Sequence, residues 1–235
     1  MAAILQTGYT GIEGSKQKTA PPRRFTMRAI KRVSFWSMAA VVCTAAATSS
    51  AQVVLPIADE QVLYEVIGEF NNSGSASQQY GYLSSVTGLA NAFSSTTTKN
   101  ETTALFTFVT NATTYQVVNN GPFRIVDRTG TTTIYLNSGP SDFTNPATFS
   151  QGMPIQVSNY HQQVILNTGT STFLTVHTNT VTQVETFTLD GVAHRLGQVG
   201  KSFRTNYSGQ SNAPGAVPSG WFAGTSIGGR SYPLE

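Results

Sequence analysis

From Val62 to Leu196 the apolar residues of this chain tend to recur at every second position, in short runs cut by Gly, Asn and Pro. That period puts alternate side chains on opposite faces of an extended strand and leaves little room for helices. Val62 to Phe70, Tyr80 to Val86, Thr103 to Thr110, Tyr115 to Val118 and Phe123 to Arg128 each read as a strand. In the last of these, Phe123 and Ile125 share one face and Arg124, Val126 and Arg128 share the other. Thr is abundant throughout, as expected for a β-branched residue on a half-buried sheet. One stretch, Gln78 to Phe93, carries a rough three-to-four spacing, but Gly81 and Gly88 within it favour strand followed by loop.

Turn chemistry joins these strands locally. Asn119-Asn120-Gly121-Pro122 reads as a turn, as do Asn71-Asn72-Ser73-Gly74 and Asn167-Thr168-Gly169-Thr170. Asp190-Gly191 is the strongest hairpin signal, because a tight two-residue turn needs positive φ at both positions. Arg128-Thr129-Gly130-Thr131 reads as a further hairpin, leading into Thr132–Asn137. Short strands joined by local hairpins predict an all-β fold with a single antiparallel domain. An up-and-down barrel of the small ligand-binding kind fits better than a β-sandwich. The domain is expected to span residues 52–208. From Gly209 to Glu235 the composition turns to Gly and Pro, which predicts a tail or wrapping segment anchored by Trp221-Phe222.

The N-terminal region reads as an export signal over residues 27–51. Met27 to Arg32 is basic, Val33 to Ala47 is mostly apolar, and Ser49 and Ala51 stand at the small-x-small positions before Gln52. Cleavage is expected after Ala51. The apolar run is too short and too rich in Ala and Ser for a membrane span. Residues 1–26 read as an unstructured upstream extension, with Met27 the initiator.

Removing this presequence reverses the charge. The whole chain is formally +3, but seven of its Lys and Arg residues precede Gln52 with only Glu13 opposing them. That segment therefore carries +6, which leaves −3 beyond it. The basicity belongs to the export signal, and no nucleic-acid footprint remains in the body of the chain. The single cysteine, Cys43, falls within the signal. A cysteine-free exported domain points to a bacterial periplasmic or extracellular protein.

Chemistry is sparse. His161, His177 and His194 form no metal-ligand spacing, and no Gly-x-Ser-x-Gly or phosphate-binding loop occurs. No metal or cofactor is implied. Glu65 and Glu69 share a strand face, but four residues on a strand span about 13 Å, beyond the roughly 5–10 Å of a glycosidase pair. The candidate interior polar residues are Glu65, Glu69, Arg124, Asp127 and His177. Many aromatics, Phe70, Phe106 and Phe173 among them, could fill a core or line a cavity. The reading that follows is a non-enzymatic binding module for a small apolar ligand or cell-surface component. Its alternatives are a structural or adhesive envelope module, and an extracellular hydrolase or cyclase working inside a barrel.

Overall fold

A computed structural model of the protein describes residues 53–55 and 62–228. The expected upstream extension, export signal and cleavage position lie outside the described residues. Eight strands close into an antiparallel barrel: β2 (Val62–Ser73), β3 (Ala76–Val86), β4 (Phe106–Asn120), β5 (Phe123–Leu136), β6 (Met153–Asn167), β7 (Thr172–Val184), β10 (Ser202–Ser211) and β11 (Gly220–Gly228). Each strand pairs with the next in this order, and β11 returns to β2 through Gly220↔Phe70 and Trp221↔Glu69. The barrel is therefore an up-and-down meander. Between β7 and β10 the chain makes a hairpin, β8 (Thr186–Leu189) and β9 (Val192–Leu196), which joins β1 (Val53–Leu55) in a separate three-stranded sheet.

The Asp190-Gly191 turn has φ of 50° and 77°, as its residues predict. Its hairpin sits at one barrel end. Phe187 meets Phe106 edge-on at 5.7 Å, and Gln156 Nε2 donates to the Leu196 carbonyl at 2.7 Å. Together with Ile155, Val181 and Phe203, these residues fill that end with apolar side chains.

The β5–β6 connection folds back over the outer wall. Its short 3-10 turn, Pro146–Ser150, buries Phe149 against Tyr80 at 5.5 Å, while Phe143 packs on Phe149 and on Trp221. Thr107 Oγ1 donates to the Phe149 carbonyl at 2.8 Å and pins the segment. Tyr80 therefore belongs to a second, outer core, while Tyr64, Phe106 and Phe108 fill the inner one.

Three local expectations are corrected. Thr103–Thr110 and Tyr115–Val118 are not two strands: Phe106–Thr110 and Tyr115–Val118 both belong to β4, with an irregularity in register between Thr114 and Gln116. Arg128-Thr129-Gly130-Thr131 is not a hairpin: Gly130 lies mid-strand, opposite both Ala112 and Tyr160. A β-carbon there would stand 2.0 Å from the Asn111 carbonyl oxygen, so the glycine serves close approach between strands rather than a turn. Nor does the domain end at residue 208, because the supposed tail supplies β11 and closes the barrel. Its glycines make room for close neighbours, the Phe70 ring at Gly220 and the Tyr207 Cα and Cβ at Gly224.

Candidate functional site

The barrel end opposite the β8–β9 plug carries the β2–β3, β4–β5, β6–β7 and β10–β11 connections. It opens into a cavity of about 500 Å³. Strand parity decides the lining. Arg124, Val126 and Arg128 from β5, Gln162, Val164 and Leu166 from β6, and Phe173 and Thr175 from β7 face inward at successive levels. Phe70 and Asn72 from β2, Gln79 from β3, Thr114 from β4 and Tyr207 from β10 complete much of the wall. Apolar side chains dominate the upper wall, and polar ones form the floor.

The floor is a closed hydrogen-bond network. Gln79 Nε2 donates to Tyr160 Oη at 2.8 Å, and Tyr207 Oη donates to Gln79 Oε1 at 2.8 Å. Gln162 Nε2 donates to Tyr207 Oη, while Gln162 Oε1 accepts from Arg128 Nη1 at 3.2 Å. Arg128 reaches further, from Nε to Thr114 Oγ1 at 3.1 Å and from Nη2 to Asn72 Oδ1 at 3.4 Å. All three of its partners are neutral. Burial draws the Arg128 guanidinium below its ordinary pKa, against the influence of Tyr160 and Tyr207. Burial also pushes the Tyr207 hydroxyl up to about 12 and the Tyr160 hydroxyl well above its usual range.

One level below, His177 lies between the rings of Tyr160, at 4.8 Å, and Tyr207, at 5.2 Å. Asn179 Nδ2 is 3.3 Å from His177 Nδ1 and from Thr205 Oγ1, and Thr205 meets Ser226 Oγ at 2.7 Å. Burial pushes the His177 imidazole down to about 3, so it is neutral at physiological pH. Below the floor only a gap of about 30 Å³ remains. The cavity therefore ends at the Gln79–Gln162–Tyr207 layer.

The five candidate residues separate. Arg124 lines the cavity, and His177 faces inward beneath its floor. Asp127 sits on the opposite face of β5 from Arg124 and accepts from Gln163 Nε2 at the outer surface. Glu65 is exposed, with Ser84 Oγ 3.4 Å away. Glu69 is only 2 % exposed but points outward, beneath the β5–β6 connection, where Tyr80 Oη donates to it at 2.9 Å. Burial raises its carboxyl pKa, opposed by the Tyr80 bond and reinforced by Glu101.

Arg128, Gln79, Gln162 and Tyr207 escaped the sequence reading, although a signal for the first was present. Arg128 shares the Arg124 and Val126 face, whereas Asp127, three residues from Arg124, does not. The glutamines and the tyrosine carry no local mark, since only closure of the barrel brings them together.

Among the described residues, the cavity lining contains no carboxylate and no histidine. Its tyrosine hydroxyl is held protonated by burial and its guanidinium carries no base. Comparison with family models, with curated proteins and with solved structures finds no match.

Proposed function

We propose that this protein is an exported binding module that holds a small, largely apolar molecule in the open half of its barrel. The supporting observation is the asymmetry of the interior. Side chains pack one half fully, yet the other half keeps a cavity of about 500 Å³. Eight-stranded barrels either fill with side chains or hold one small ligand, and the volume falls within the roughly 300–1,000 Å³ range of ligand sites. Phe70, Val126, Val164, Leu166 and Phe173 supply apolar wall, and the polar floor supplies a fixed point for orientation.

Native mass spectrometry of the full chain expressed with export in a bacterial host tests both halves of this reading. The expected product begins at Gln52 and carries a co-purifying small molecule at near-unit stoichiometry. A chain that begins well before Gln52 overturns the export assignment. A clean apo mass, with no small molecule captured from hydrophobic mixtures, overturns the binding role in favour of a structural or adhesive one.

A further inference from the structure

The cavity has a charge that no described residue neutralises. Arg128 stands at its floor and Arg124 four residues nearer the mouth on the same strand face, about 13 Å along β5. Among the described residues neither is answered by a carboxylate, since the lining has none and Asp127 between them faces the outer surface. Arg128 has five N–H donors and uses three, on Thr114, Gln162 and Asn72. One N–H on each terminal nitrogen is left without an acceptor among the described residues. A half-buried cation with neutral hydrogen-bond partners and a like charge on the same strand face is held at an electrostatic cost. A bound anion removes that cost.

The apolar wall gives the remaining chemistry. Val126 lies between the two arginines, and Val164, Leu166, Phe70 and Phe173 line the path from Arg128 to the mouth. We infer that the ligand is an amphipathic organic anion, a carboxylate with an aliphatic chain. Its head is fixed by the Arg128 guanidinium and its chain lies along the apolar wall past Arg124. This rests on the binding role proposed above and specifies the ligand class for the same cavity. The three protein bonds hold the guanidinium plane, so an incoming carboxylate meets a donor set already oriented.

Titration calorimetry of the full, exported chain with decanoate and, in parallel, decanol tests the inference. The two probes share chain length and differ in the charge of the head. Decanoate is expected to bind about tenfold or more tightly than decanol, the scale of a charge-assisted hydrogen bond. Arg128→Gln is expected to bring decanoate down to the decanol level and leave decanol unchanged. Arg124→Gln should give a smaller loss of the same kind. Equal affinity for the two probes in the unaltered protein overturns the anionic head while leaving the binding role standing. If neither probe binds the folded protein, the binding role fails and this inference with it. Should Arg128→Gln not fold, the comparison of probes on the unaltered protein decides alone.

Discussion

At the scale of single residues, the interior is unusual for how much polarity it carries below the cavity. His177 is the sharpest case, 7 % exposed and held neutral between two tyrosine rings with Asn179 as its hydrogen-bond partner. Among the described residues no anion stands against it, and its imidazole, ordinarily near 6.5, is pushed down to about 3 by burial. The linkage follows. Above about pH 6.5 the residue is neutral in both folded and unfolded chains and contributes no pH dependence. As the pH falls from there toward 3, the unfolded chain takes up a proton that the folded one refuses, and stability declines by up to about 1.4 kcal/mol per pH unit. Urea denaturation at a series of pH values should show wild type losing about 3 kcal/mol more than His177→Gln between about pH 6.5 and 4. Parallel profiles for the two proteins would show that the imidazole reaches solvent and titrates normally when folded.

Strands and turns were the part of this molecule written most plainly into its residues, though their ends were not. Asp190-Gly191 makes the turn that its φ requirements demand, and Thr172 to Val181 alternates cleanly between buried and exposed. What misled was glycine, because the same residue signals a turn and a close contact between neighbouring strands. Gly130 has positive-φ neighbours in neither direction and sits where a β-carbon would lie 2.0 Å from one backbone oxygen and 2.7 Å from the Ala112 Cα. Backbone cannot step aside as a side-chain tip can. Gly130→Ala should therefore destabilise the protein by about 1–3 kcal/mol through overpacking, read as a lowered denaturation midpoint with unchanged slope. A turn glycine offers the contrast: Gly139, with open space around its missing β-carbon and no positive φ, should accept Ala with little change. If the two variants are equally stable, the strand pairing around Gly130 is looser than described. The interior polar layer was illegible for a different reason. Gln79, Gln162 and Tyr207 come from β3, β6 and β10, and no local pattern distinguishes a glutamine that faces a barrel interior from one that faces water.

For the whole molecule, closure is what makes the cavity possible. A closed barrel has no free edge, whereas an open sheet presents rows of unpaired backbone donors and acceptors to any other chain. Here closure depends on nine residues late in the sequence, Gly220–Gly228, which pair with β10 on one side and β2 on the other. The same strand places Phe222 against Tyr207 in a stacked contact at 4.4 Å and against Phe108 at 6.2 Å, tying opposite regions of the inner core together. Ending the chain after Ser211 would remove these contacts and expose β10 and β2 together as long edges. The truncated chain is expected to form soluble oligomers or aggregates that bind thioflavin, with no cooperative melt, while the full chain shows one. Size-exclusion chromatography with light scattering reads the difference directly. A truncated chain that runs as a monomer and melts cooperatively would mean that seven strands can close without β11. The barrel would then have to shrink in circumference, and the cavity lined by Phe70 and Phe173, whose rings meet edge-on at 5.6 Å, would be lost with it.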